Sequence, residues 1–279
     1  MVGRNFFDKL ERDIDLQKEY KKIDSLVLNA NNNSDFSLEN VIEFNFKDWK
    51  YNADFLDFIE LREQLGFTFE QDRYELVSSG HIENVYDFFD YCEMIVNMTK
   101  NLSAYDYVGH RVTIREIERI MKFDLNALNH EIRKYGDKYI IVQKDAAVAE
   151  VVEIVEENLA ETILEYNHYV LKGNLERKKE ILIKIASILE PKRSEIDMLN
   201  SQLSSDYFYM VNTMNIRHNN CDSSDNKKYN VYFTNASVEE KEEIYDDIYQ
   251  MGLLIFLLLE NKKRSSKIKE IKEMRKLIE

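Results

Sequence analysis

The sequence predicts a mainly α-helical protein, and three observations support this class. The 279 residues include a single proline, Pro191, and only seven glycines, and both residue types interrupt helices. Apolar residues recur at helical spacing over long stretches. Hydrophobic residues make up 44% of the chain, which is ordinary for a protein that buries a core. Long helices around an apolar core are therefore expected.

Residues 1–108 are predicted to form an N-terminal α-rich domain of unknown role. A charged helix is expected over residues 6–29, and a loop rich in Asn and Ser follows it. Two further helices, over residues 54–65 and 81–101, flank a short β-prone segment at residues 67–77. Its aromatic and β-branched residues predict a small hairpin.

Residues 109–144 predict a small subdomain with the order helix, turn, helix, strand, as in a winged helix. Thr113 with Glu116 has the spacing of a capping box for the first helix. The second helix, over residues 125–135, would be the recognition helix of a DNA-binding regulator acting through residues 113–143. It offers few cations, whereas DNA binding needs several to neutralise phosphates. A subdomain that only packs is therefore the favoured interpretation.

Residues 145–279 carry the strongest helical pattern. Four predicted helices with short connections indicate a four-helix bundle. The last helix begins at Ser237, which forms a capping box with Glu240. The predicted elements are helices at residues 148–171, 175–189 and 191–217 and from Ser237 onward, with a short strand at residues 229–234.

The net charge of −14 implies that duplex nucleic acid is repelled by the average field of the protein. The stretch from Asn261 to Glu279 is the exception, because it holds eight Lys or Arg against three Glu, a net charge of +5. Its cations can complement the dipole of the helix end, or they can bind phosphate or acidic groups.

Composition also excludes several classes. Cys92 and Cys221 have no metal-ligand spacing and cannot form a disulfide framework. The carboxylates at residues 150–161 have no His between them, so a solvated stripe is favoured over a metal site, and neither a metal nor another cofactor is expected. The first ten residues lack a signal-peptide pattern, and the longest apolar run, residues 251–259, is too short to cross a bilayer. The protein is therefore expected to be cytoplasmic, without membrane contact.

One polar cluster near the end of the third predicted helix is the candidate site. His218 is suited to act as a general acid or base near neutral pH, and Arg217 to bind a phosphate. The asparagines would orient the imidazole or contact a ribose. Such a set suits metal-independent RNA cleavage, with His168 as a secondary candidate. The cluster comprises Asn212, Asn215, Arg217, His218, Asn219 and Asn220.

A structural interpretation of the same cluster stays open. Cations in a last helical turn complement the helix dipole, and Asn219 or Asn220 can adopt the left-handed cap. His218 would then be a core histidine with satisfied hydrogen bonds. Under this interpretation the cluster ends a helix and performs no chemistry.

The third region also carries a family resemblance. The residues concerned are Tyr166-Asn167, Gly173, residues 178–182, Leu189-Glu190-Pro191, Arg193 and residues 215–220. They resemble bacterial abortive-infection, or phage-defence, proteins with a HEPN-like helical domain, over about the C-terminal half of the chain. The resemblance implies a four-helix bundle that dimerises. For many members it also implies a metal-independent ribonuclease of phage-defence or toxin–antitoxin systems.

The resemblance is incomplete at the catalytic motif, in which an Arg is followed a few residues later by a His. Arg217 matches the Arg, but no His follows His218. Either His218 substitutes in altered geometry or the chain is a non-catalytic member. The leading hypothesis is a homodimeric phage-defence ribonuclease, with RNA and a phage or antitoxin protein as partners. The alternatives are a non-enzymatic helical binding or sensor module and the DNA-binding regulator.

Overall fold

A computed structural model describes residues 14–30, 36–52, 55–73, 75–225 and 227–276. Over these residues the protein is mainly helical, so the predicted mainly α class is confirmed. The chain divides into two compact units, Met1–Ile141 and Val142–Glu279. No described helix is long and apolar enough to cross a membrane.

Unit 1 contains helices and two small β-hairpins. The hairpin predicted near residues 67–77 is confirmed, with Phe69 opposite Ser78 in an antiparallel register. The first predicted helix is confirmed from residue 16 onward, and residues 6–13 lie outside the described residues. The elements are α1 (Leu16–Leu28), α2 (Leu38–Phe46), α3 (Phe58–Gln64), β1 (Phe69–Asp72), β2 (Glu75–Ser78), α4 (Val85–Lys100), α5 (Ala104–Ala127), β3 (His130–Tyr135) and β4 (Lys138–Gln143), whose last two residues belong to unit 2.

Helix α2 was not predicted from the sequence. Its N-terminus is a capping box in which the Ser37 hydroxyl accepts from the Asn40 N–H and the Asn40 side chain accepts from the Ser37 N–H. The usual sequence signature has Glu or Gln at the fourth position, so an Asn there gives a weaker signal.

The core of unit 1 is aromatic and holds a buried ion pair. The Tyr20 and Phe67 rings each pack edge-on against Tyr91, with centroids 4.7 and 5.1 Å away. Within this aromatic layer, the guanidinium of Arg62 pairs with the carboxylate of Asp24, and both side chains are fully buried. A charge removed from solvent needs such a partner, because burying an unpaired ion costs roughly several kcal/mol.

The winged-helix order predicted for residues 109–144 is not found. Helix α5 runs unbroken past Thr113, which is buried, and its N-cap is Ser103. The predicted second helix over residues 125–135 is wrong. Asn129 adopts a left-handed conformation, φ 59°, just beyond the end of α5. The β3–β4 hairpin follows and turns at Gly136. The hypothesis of a DNA-binding regulator therefore lacks the recognition helix that it requires.

Unit 2 is helical. Helix α12 packs against α6, α8, α9 and α10. The predicted helix at residues 175–189 is confirmed as α8, and the predicted capping box is confirmed by hydrogen bonds between Ser237 and Glu240 of 2.7 and 3.1 Å. The helices are α6 (Ala146–Val152), α7 (Glu157–Tyr166), α8 (Leu175–Leu189), α9 (Arg193–Leu199), α10 (Ser201–Thr213), α11 (Val231–Asn235) and α12 (Val238–Lys276), with 3-10 turns at Tyr169–Leu171 and Glu190–Lys192.

Two long helices predicted in this region are interrupted. The helix expected over residues 148–171 breaks between α6 and α7, where Glu156 is extended with ψ 149°. The break lets α6 pack on α12 while α7 packs on α8. The helix expected over residues 191–217 breaks at Asn200, which ends α9 and caps α10 through its side chain.

The strand predicted at residues 229–234 is wrong, because α11 occupies this stretch. The Asn230 side chain accepts a hydrogen bond from the Phe233 N–H at 3.0 Å and caps the helix. Phe233 is buried and stacks on Tyr245, with ring centroids 5.6 Å apart. β-branched and aromatic residues favour strands on average, but this packing overrides the preference.

Candidate functional site

Most of the predicted site falls on an irregular turn, residues 214–220, beyond the end of a helix, whereas Asn212 lies on α10 itself. Helix α10 ends at Thr213, and Asn215 takes the left-handed conformation with φ 59°. The Arg217 N–H then donates to the Val211 carbonyl at 3.2 Å and turns the chain back on the helix end. The helical face predicted for Asn212, Asn215 and Asn219 therefore does not form.

Amide side chains hold this turn together. The Asn215 N–H donates to Asn220 Oδ1 at 3.0 Å, and the Asn220 N–H donates to Asn215 Oδ1 at 3.3 Å. Asn220 is buried, and its Nδ2 donates to the Lys228 carbonyl at 2.6 Å. These bonds satisfy main-chain groups that an irregular, buried turn would otherwise leave unpaired.

Asn230 completes the network, and sequence reasoning missed its role here. Its Nδ2 donates to the Thr213 carbonyl at 2.9 Å, and its N–H donates to the Asn220 carbonyl at 2.8 Å. It thus joins the end of α10, the turn and the start of α11. The density of amides around Arg217 is accounted for by this local architecture.

Arg217 forms an ion pair with Glu190. Glu190 lies at the end of α8, in the 3-10 turn that contains Pro191. The Arg217 side chain is 26% exposed and that of Glu190 is 39% exposed. The Arg217 side chain is therefore partly exposed to solvent, and its charge is balanced by a carboxylate.

The other predicted residues differ in exposure. His218 is half-buried, and no hydrogen bond joins its ring to another described residue. Asn212 is half-buried and Asn219 is exposed. His168 lies between α7 and α8, where its backbone forms a β-bridge with Val142 and its ring meets the Tyr169 ring edge-on at 4.8 Å.

The possible chemistry of the corner formed by Arg217 and His218 follows from these positions. Arg217 and His218 are neighbours on a turn held by a buried amide network, and solvent reaches both side chains. A guanidinium can bind phosphate when the ion pair with its carboxylate partner opens. Asn215, Asn220 and Asn230 stabilise the turn, and none of their hydrogen bonds goes to the imidazole.

A second polar cluster in unit 2 was missed by sequence reasoning. The Lys178 ammonium lies 2.7 Å from Glu242 Oε1 and 2.7 Å from Asp246 Oδ1. The Tyr166 hydroxyl donates to the same Asp246 oxygen at 2.8 Å, and the Tyr166 ring stacks on Tyr249 at 3.9 Å. We call these five residues the Tyr166 cluster.

The Tyr166 cluster joins α7, α8 and α12. Burial raises the pKa of the Tyr166 hydroxyl, and the nearby Asp246 carboxylate raises it further. Burial opposes ionisation of Glu242, yet the Lys178 ammonium and the Gly173 N–H lower its pKa. The phenol is thus neutral and the charges are mutually paired, an arrangement that fixes helix positions. In the sequence, the only signal of the Tyr166 cluster is the spacing of four residues between Glu242 and Asp246 on α12.

Among the described residues, no group of three or more His, Cys, Asp or Glu side chains is placed to hold a metal ion. Comparison with known proteins adds no assignment: no family model, no curated protein and no solved structure matches this chain.

Proposed function

We propose that the corner formed by Arg217 and His218 is a metal-independent RNA-cleaving site in an α-helical phage-defence protein. One observation carries the proposal: both side chains project from the same amide-locked turn and are reachable from solvent. A rigid turn holds reactive groups in place without further loss of entropy on binding. The resemblance of residues 166–220 to HEPN-like abortive-infection proteins supports the same function.

The proposed reaction needs no metal or cofactor. His218 removes the proton from a ribose 2′-hydroxyl, and the oxygen attacks the adjacent phosphorus. The bond from phosphorus to the 5′-oxygen breaks, and the leaving oxygen takes up a proton from water. His218 gives its proton back to water, and a 2′,3′-cyclic phosphate remains. Arg217 stabilises the negative charge that grows on the phosphate oxygens. A homodimer through unit 2 would bring two such corners together.

The ion pair between Arg217 and Glu190 favours a second candidate, a non-enzymatic helical binding or sensor module. A guanidinium neutralised by a carboxylate binds phosphate less strongly. In this module the pair would tie the turn to the end of α8, and His218 would be a surface residue. A phage or antitoxin protein is the partner class proposed for it.

The test is cleavage of an unstructured, fluorophore-labelled RNA in the presence of EDTA. Wild type, Arg217→Ala, His218→Ala and Glu190→Gln are compared, with the exposed Lys192→Ala as a matched cation control. Circular dichroism checks that each variant is folded. The ribonuclease predicts that His218→Ala and Arg217→Ala each slow cleavage about a hundredfold or more.

Glu190→Gln separates the two candidates. If Arg217 binds the RNA phosphate, Glu190→Gln removes the competing carboxylate and maintains or raises the cleavage rate. Lys192→Ala then leaves the cleavage rate unchanged. If the corner is structural, every variant shows the same background signal, and Glu190→Gln alters only thermal stability. The second result refutes the ribonuclease and leaves the binding module.

A further inference from the structure

Helix α12 consists of a packed half and an exposed half. In the packed half, Ile248, Leu253 and Ile255 are completely buried. From Asn261 to Arg275 every side chain is exposed. The exposed half therefore contributes little apolar burial to unit 2, and packing alone does not explain its composition.

The exposed half is strongly basic. Residues 261–276 hold eight Lys or Arg against two Glu, a net charge of +6 in a chain whose total is −14. Complementing a helix dipole requires cations only in the last turn. Lys262 and Lys263 lie far from that turn and pair with Glu195 and Glu260. Lys267, Lys269 and Lys272 have no ion pair with another described residue.

Apolar side chains lie on one side of this basic segment. Ile268, Ile271 and Met274 are 51%, 53% and 57% exposed. Their spacing of three residues places them along one face of the helix. At 3.6 residues per turn, Arg264 and Lys267 project from the same side, whereas Glu270 and Glu273 are turned away from its centre.

We propose that residues 261–276 of α12 lie along the surface of an anionic phospholipid membrane. The apolar face would enter the boundary between headgroups and acyl chains, and the neighbouring cations would meet the lipid phosphates. Lys and Arg can cover apolar surface with their stems while their charges reach the headgroups. The sequence-based expectation of no membrane contact rested on the lack of a spanning segment, which a surface helix does not need.

Two other occupants fit these residues less well. Nucleic acid would satisfy the cations but would leave Ile268, Ile271 and Met274 without an apolar partner. A second copy of the helix would bring two +6 segments together, and like charges repel. A surface that is both anionic and apolar beneath its headgroups matches the whole face.

The test is co-sedimentation of the full chain with vesicles of phosphatidylcholine alone or mixed with phosphatidylserine. We expect at least tenfold tighter binding to the anionic vesicles, weakened by salt. A triple variant, Ile268→Ser, Ile271→Ser and Met274→Ser, keeps every charge and should weaken vesicle binding at least tenfold. Leu254→Ser, which removes another exposed apolar residue of α12, is the matched control and should bind like wild type.

The same proteins are titrated with a single-stranded RNA in parallel. Binding to anionic vesicles that depends on the apolar triple supports the proposal. Absence of vesicle binding overturns it, as does vesicle binding that the triple leaves unchanged. RNA binding in place of vesicle binding assigns the basic segment to nucleic acid and also overturns it. All substituted side chains are exposed, so the variants leave the core intact.

Discussion

Nη2 of Arg62 lies 2.9 Å from both carboxylate oxygens of Asp24, and neither side chain is exposed to solvent. The Arg62 Nε also donates to the Phe67 carbonyl at 2.9 Å, and the Tyr91 hydroxyl donates to Asp24 at 2.8 Å. This pair links α1 to α3 across the core of unit 1. Because no water screens the charges, each depends on the other.

We predict that Arg62→Met lowers the free energy of unfolding of unit 1 by about 3–5 kcal/mol, since it leaves the Asp24 carboxylate buried without a cation. The double variant with Asp24→Leu should recover at least half of this loss, because both charges are then removed. Urea unfolding followed by the fluorescence of Trp49, the single tryptophan, measures both. A double variant that is less stable than Arg62→Met would contradict the prediction.

A second prediction concerns the pH dependence of stability. Asp124 is buried, and burial, reinforced by the Glu19 carboxylate, raises its pKa to about 6. Between about pH 4 and pH 6 the folded state therefore binds more protons than the unfolded state. Stability falls as the pH rises through this window, and the full cost remains above it.

Asp124→Asn removes this charge, so the variant should be more stable than wild type by about 1–2 kcal/mol at pH 8. The difference should shrink towards zero near pH 4, where the native Asp is also neutral. Urea titrations at both pH values, with the exposed Asp48→Asn as control, provide the measurement. A stability difference between Asp124→Asn and wild type that does not change with pH would contradict the raised pKa of Asp124.

A third prediction addresses the turn that holds Arg217 and His218. Asn220→Ala removes the side-chain bonds to the Asn215 N–H and the Lys228 carbonyl. Both main-chain groups then lack a partner, so we expect a loss of about 1–3 kcal/mol in the stability of unit 2. Asn219→Ala, at an exposed neighbour, should change stability by less than about 0.5 kcal/mol. Thermal unfolding followed by circular dichroism compares the two, and equal losses would argue against the network.

Elements with strong local signals were predictable from the sequence. The Ser237–Glu240 capping box and the apolar spacing of residues 175–189 both correspond to helices in the structure. The breaks at Glu156 and Asn200 were not predictable, because no glycine or proline marks them. At Glu156 the flanking helices α6 and α7 pack on different partners, α12 and α8, whereas α9 and α10, on either side of Asn200, both pack on α12 and on each other. Both arrangements depend on the tertiary structure.

Some features of the candidate site were likewise predictable from the sequence, and others were not. The concentration of polar residues at 212–220 was visible in the sequence, and the structure brings Arg217, His218, Asn215 and Asn220 together on one turn. The role of the asparagines was not visible, because it depends on Asn230 and on the carbonyl of Lys228. Nor did any local pattern identify Glu190 as the partner of Arg217.

By itself the sequence determined the mainly α class, the first hairpin, the start of the last helix and the basic character of its end. These features follow from hydrophobic period, capping residues and charge, which act over a few neighbouring positions. Tertiary structure alone decided that Arg62 is buried against Asp24, that Asp246 joins Tyr166 to Lys178, and that Arg217 forms an ion pair with a carboxylate. Each of these contacts joins residues more than ten positions apart, so its energy exists only once the helices have packed.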